Sequence, residues 1–214
     1  VDTEQHKRTL SKQMMVTGAV RTVIIVAIIA VVLVIQKPSG LKSGSIPATA
    51  DNGTLVTASY EILEYMKDSD FKALSRIVHP TYGVLFSPYA TISESTAKVF
   101  TAAQVRVFAT DKAEYIWGTY DGSGDPISLT PCAYFAEFVF DRDYIRSSLV
   151  GINRTIRSGN ALENISETRP GIRYVDFHIP PDTDDGDWGS LRLGFEEYNG
   201  SLMLTVVLHS RKTI

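Results

Sequence analysis

Cysteine is almost missing from this chain. One residue, Cys132, stands among 214, so no internal disulfide can form, and no Cys/His spacing suits a zinc site. Basic charge is not in excess either: 21 Lys and Arg face 24 Asp and Glu, without the footprint of a nucleic-acid binder. There is no Gly-x-Ser-x-Gly elbow, no phosphate-cradling glycine loop and no histidine beside Cys132. Asp121 and Asp125 fall in a glycine-rich turn without the register of a calcium loop. The run containing Asp182, Asp184, Asp185 and Asp187 reads as a solvated loop. No cofactor, metal or catalytic residue is therefore expected.

What the sequence does have is one long apolar run. From Val23 to Ile35 thirteen residues, VIIVAIIAVVLVI, carry no polar group, and the apolar character extends back to Val16 with Arg21 as its one charge. About 20 such residues span a bilayer as a helix, and Arg21 sits where its stem can reach the headgroups. Lys7, Arg8, Lys12 and Arg21 outnumber Lys37 and Lys42 across the run, which places the N-terminus in the cytoplasm. Ala48-Thr49-Ala50 has a small-x-small pattern but lies too far past Ile35 for signal peptidase. The expected organisation is a cytoplasmic tail (1–15), an uncleaved membrane helix (16–35), a flexible linker (36–53) and one extracytoplasmic domain (54–214). Four basic and two acidic residues precede Gln36, so the rest of the chain is net −5.

Within that domain the helical signals come first. Leu55, Ala58, Ile62, Tyr65 and Met66 keep helical spacing over 54–67. Asp70 reads as an N-cap for a second helix through Val78, stopped by His79-Pro80. Thr101 to Gln104 has capping-box form, and Thr130-Pro131 is a further helix start. Strand signals follow. Glu114 to Tyr120 is one, and Arg173 to Ile179 alternates, with Val175, Phe177 and Ile179 opposite Tyr174, Asp176 and His178. Leu191–Tyr198 and Ser201–His209 flank Asn199-Gly200, a strong hairpin turn. The expected class is α+β: a helical pair packed on a curved, mostly antiparallel sheet. Leu193, Phe195, Leu204 and Val206 should face the helices.

EILEYMKDSDFKALSRIVHP and SLRLGFEEYNGSLMLTVVLHS, taken with the element order, resemble the nuclear transport factor 2-like fold; cystatin-like packing is the nearest alternative. HPTYGVLFSPY, WGTYDGSGDPISLT, GNALEN and DWGSLRLGFEEYNG are similar to uncharacterised extracytoplasmic domains of membrane-anchored Gram-positive bacterial proteins. That likeness implies kin without an activity, although some members of the fold use Asp and His in a pocket between helices and sheet. Asp176, His178, Arg192, Glu196, His209 and His79 are the candidates for such a ligand pocket. Against it stands the reading of Asp176, His178, Arg192, Glu196, Thr205 and His209 as the solvated outer face of the sheet, which the apolar alternate positions favour. The layout of tail, anchor and domain is similar to that of bitopic channel subunits of type IV secretion and conjugation systems.

The expectation is a non-enzymatic binding or assembly domain at the cell membrane; the rival is a tethered enzyme or small-ligand sensor. Expected partners are the bilayer through residues 16–35, a protein of the envelope and, as one option, further copies of the chain. Nucleic acid is not among them.

Overall fold

The computed structural model describes residues 45–93, 97–157, 162–183 and 186–212. They belong to one compact unit, Ser43–Ile214. The segments expected as cytoplasmic tail and membrane helix lie outside the described residues. No helix among the described residues is long and apolar enough to cross a membrane.

The unit is α+β. A short strand β1 (Ile46–Pro47) precedes helices α1 (Asn52–Lys67) and α2 (Phe71–Ser75). Asp51 caps α1 by accepting from the Thr54 N–H at 2.7 Å. Asp70 caps α2 by accepting from Ala73 at 2.9 Å. Side-chain caps of this kind contribute about 1 kcal/mol each. The apolar face of α1 buries Leu55, Ala58, Ile62, Leu63 and Met66, while Tyr65 is half-buried. The folded unit thus takes in Ile46 to Gly53, which composition assigns to the linker. Ile46 pairs with Leu202, Ala48 donates to the Gly200 carbonyl at 2.8 Å, and Arg173 donates to the Ala50 carbonyl at 2.7 Å.

Helix α2 stops at Ser75, short of the expected His79-Pro80, because the chain is captured by the sheet. Val78 bridges Leu204 in parallel, and His79 donates its backbone N–H to Leu204 at 3.0 Å. Strands β2 (Val84–Ser87) and β3 (Lys98–Phe100) follow, then α3 (Ala102–Val105), which opens on the expected Thr101–Gln104 capping box. A separate hairpin pairs β4 (Tyr115–Thr119) with β5 (Pro126–Leu129). Helix α4 (Pro131–Tyr134) starts at Thr130-Pro131 and continues as a π-helical turn over Phe135–Val139. The remaining elements are β6 (Leu149–Ile152), α5 (Ile165–Thr168), β7 (Arg173–Ile179), β8 (Gly189–Tyr198) and β9 (Ser201–Arg211).

The main sheet runs β3-β2-β9-β8-β7-β6, with β1 also on β9. All its pairings are antiparallel except β2 with β9. One face meets the helices: Tyr60 of α1 sets its ring edge-on to Phe177 at 5.0 Å. Phe86 lies within an aromatic group of Phe100, Phe108, Trp117, Tyr134 and Phe135. A register shift just after Gly194 pairs that residue with Val206 but Phe195 with Leu204. The bulge at Thr205 therefore turns Val206 to the opposite face from Leu204. The expectation that both lie against the helices is corrected: Val206 packs with Leu85, Ile165, Ile172, Tyr174 and Leu208.

That opposite face is not solvated. Described residues between β6 and β7, among them Ile156, Ile165 and Ile172, lie across it. A Cβ on Gly151 would stand 2.2 Å from the Arg154 carbonyl oxygen, and one on Gly194 2.7 Å from Ile172 Cδ1. These two glycines let the cover approach the strands closely.

Candidate functional site

The candidate residues do not form one site. Strand pairing sets Asp176 opposite Arg192, and His178 opposite Ser190, on the covered face. His209 pairs with Leu191 on the helix-facing side. His79 lies in the turn before β2 and Glu196 is half-buried near the end of β8. The solvated-face reading fails, because Asp176, Arg192 and His209 are 0% exposed and His178 only 3%; His79, read apart from that face, is also buried, at 2%. Alternation shows which side chains share a face; it cannot show that a later, aperiodic segment covers the polar one.

Asp176 and Arg192 make the buried charge pair of the covered face. Arg192 Nη2 lies 3.4 Å from Asp176 Oδ2, and its Nη1 lies 3.7 Å from Glu163 Oε1 on the covering segment. Asp176 Oδ2 also accepts from the Ile156 N–H at 2.7 Å. Burial raises the Asp176 pKa, with Arg192 and Ile156 pulling against it. Asp176 Oδ1, Arg192 Nε and Arg192 Nη1 are buried without a hydrogen-bond partner. A neighbouring pair on the same face joins His178 Nδ1 to Ser190 Oγ at 2.8 Å, with the Trp188 ring 5.7 Å from the imidazole. Burial, then the charges of Arg157 and Arg142, lowers the His178 pKa.

On the helix-facing side, His209 presents Nε2 to Asp141 Oδ1 at 3.3 Å and Nδ1 to the Pro88 carbonyl, also at 3.3 Å. Asp141 further accepts from Tyr144 Oη at 2.8 Å and from Arg142 at 3.0 and 3.1 Å. Arg142 reaches on to Asp187 at 3.0 Å and packs over Gly189, where a Cβ would stand 2.6 Å from its Nε. Burial alone would raise the Asp141 carboxyl; His209 and Arg142 outweigh it and hold the group well below the usual carboxylate range. Burial and the Asp141 charge push the Tyr144 hydroxyl up.

His79 is different again. Its Nδ1 accepts from the Tyr82 N–H at 2.9 Å and the Thr81 N–H at 3.2 Å. Its ring stacks on Tyr82 at 4.4 Å and meets Tyr198 edge-on at 5.2 Å. Burial lowers the His79 pKa; Glu196 opposes that and Arg169 adds to it.

Asp141, Ser190 and Glu163 were not legible as partners. Asp141 falls just after the π-helical turn, in Phe140-Asp141-Arg142, where no periodicity assigns a face. Ser190 lies one residue ahead of the strand that alternation marks out. The three described histidines order the backbone and side chains around them, and each is no more than 3% exposed. Among the described residues no group of three or more His, Cys, Asp or Glu could hold a metal ion.

No family model matches the chain, and no curated protein matches it. Among solved structures the chain is similar to one titled Rd1NTF2_05, at 11% identity over 75% of this chain and all of that one, with a TM-score of 0.31. A score that low carries no argument about this chain.

Proposed function

We propose that this chain is a membrane-anchored extracytoplasmic domain that binds a partner or helps assemble a complex of the cell envelope, without catalysing a reaction. The observation that carries the binding reading is burial: Asp176, His178, Arg192, His209 and His79 are each no more than 3% exposed. A general acid or base must come within hydrogen-bond reach of its substrate. The anchor rests on the apolar run from Val16 to Ile35 and on the basic residues before it. The docking of Ile46 to Ala50 against the β8–β9 hairpin and Arg173 favours retention of the anchor, since cleavage after Ala50 would remove a paired strand. The nuclear transport factor 2-like reading of the fold rests on a helix pair preceding a sheet whose last strand, β9, lies between β2 and β8.

Membrane fractionation with chemical cross-linking in cells tests this reading. The chain should stay in the membrane pellet after alkaline carbonate and migrate after cross-linking in a species larger than itself. Release by carbonate, or migration only as a monomer, would count against it.

The tethered enzyme or sensor reading draws on one observation, that Asp176 Oδ1 and Arg192 Nε are buried without a hydrogen-bond partner, which a small polar molecule could satisfy. A screen of small carboxylates by thermal unfolding separates the readings. Binding of a ligand that is lost on Arg192→Lys would favour the sensor.

A further inference from the structure

The three described histidines meet three different partner sets. His178 faces a hydroxyl, which can rotate to donate or accept. His209 faces two acceptors, the Pro88 carbonyl and the Asp141 carboxylate. His79 alone faces two fixed donors, the backbone N–H groups of Thr81 and Tyr82, both directed at Nδ1. The imidazole must therefore be neutral in this conformation, with its one proton on Nε2. A proton added at Nδ1 would confront two amide hydrogens that cannot turn away without moving the chain.

That chain segment is a connector. His79 donates its backbone N–H to Leu204 at 3.0 Å and accepts from Gly83 at 2.9 Å, which ties the turn to β9. Gly83 has φ +68°, and a Cβ there would stand 2.5 Å from the Phe100 carbonyl oxygen, so the turn also presses on β3. On the surface the same ring is flanked by Tyr82, 54% exposed, and Tyr198, 38% exposed. The charged groups acting on it are Glu196 from β8 and Arg169 from the covering segment, of opposite sign, and the backbone of Glu197 also meets the ring.

We propose that His79 is the pin of an acid-released latch, which holds the 79–83 turn and the rings of Tyr82 and Tyr198 together at neutral pH and lets the turn go when Nδ1 takes a proton. Release costs the two hydrogen bonds from the Thr81 and Tyr82 amides and the Tyr82 stack. It does not require β8 and β9 to part, because their pairing extends along both strands. Burial of the ring, which disfavours its charged form, puts the release on the acid side of an ordinary histidine titration.

The test combines ring-nitrogen NMR of the histidines in the full chain with hydrogen exchange between pH 7.5 and 4.5. At pH 7.5 His79 Nδ1 should be unprotonated. Exchange of the Thr81 and Tyr82 amides, corrected for intrinsic rate, should rise about tenfold or more as the ring takes its proton, while β9 stays protected. His79→Asn keeps an acceptor near the Nδ1 position but cannot titrate, and should abolish the rise. A ring that takes its proton with both amides still protected would overturn the proposal, as would an equal rise in His79→Asn. If that variant does not fold, the wild-type ring decides: Nδ1 protonated at pH 7.5 refutes the latch, and protonation in step with amide release supports it.

Discussion

His209 and Asp141 meet at 3.3 Å between the last strand of the sheet and the loop that follows the π-helical turn. The contact fixes that loop to the helix-facing side of β9, and Arg142 extends it to Asp187. It gathers residues that sequence order keeps far apart.

Asp141→Asn should therefore destabilise the fold by about 1–3 kcal/mol at pH 7, since it removes the carboxylate that accepts from Arg142 and Tyr144. The wild-type carboxyl has a folded pKa below its unfolded one. Its contribution is thus complete above the ordinary carboxylate range near about 3.9 and is lost as pH falls below it. Denaturant unfolding at pH 7 and pH 3 should show the gap between wild type and variant narrowing in acid. A gap that stays constant would mean that Asp141 contributes through packing alone.

The Asp176–Arg192 pair makes a different prediction. Removing the guanidinium with Arg192→Met should cost about 3–5 kcal/mol, because Asp176 would be left buried and unpaired. Adding Asp176→Leu should recover most of that loss. The single variant should be least affected in acid, where Asp176 can take a proton. Chemical unfolding of the two variants over pH 4 to 8 checks both statements.

Phe195 is 1% exposed on the helix-facing side. Phe195→Ala should cost about 3–5 kcal/mol. A loss below about 1 kcal/mol by urea denaturation would mean that the Phe195 ring is not packed in the core.

Gly151→Ala should be worse than Gly194→Ala. The first added Cβ meets a backbone oxygen at 2.2 Å, whereas the second meets the end of the Ile172 side chain at 2.7 Å. Overpacking relieved by a side-chain shift costs about 1–3 kcal/mol; a clash with backbone has no such relief. Thermal unfolding of the two variants tests how tightly Arg154 and Ile172 are applied to the sheet.

Local chemistry made much of the fold legible. The turn at Asn199-Gly200 and the limits of Arg173–Ile179 follow from turn type and alternation, and the Thr101 and Asp70 caps from side-chain oxygens placed before apolar positions. The second covered face was hidden, because residues 153–172 contain Asn153, Arg154, Glu163 and Arg169 among scattered isoleucines and show no period. Gly151 and Gly194 were its one trace, as positions without side chains in otherwise filled strands. The Thr205 bulge was equally invisible: LMLTVVL alternates acceptably in either register. For the candidate site, burial of a charged face depends on contacts distant in sequence, which the alternation around Asp176 and Arg192 does not encode.

We propose that the folded unit stands outside the cell membrane on its own anchor, and Cys132 tests this directly. It is the chain's one cysteine and it is exposed. Intact cells treated with a membrane-impermeant maleimide should label the full-length, membrane-bound chain at Cys132, and Cys132→Ser should remove the label. Labelling that appears only after the cells are lysed, with the folded unit intact, would contradict the account.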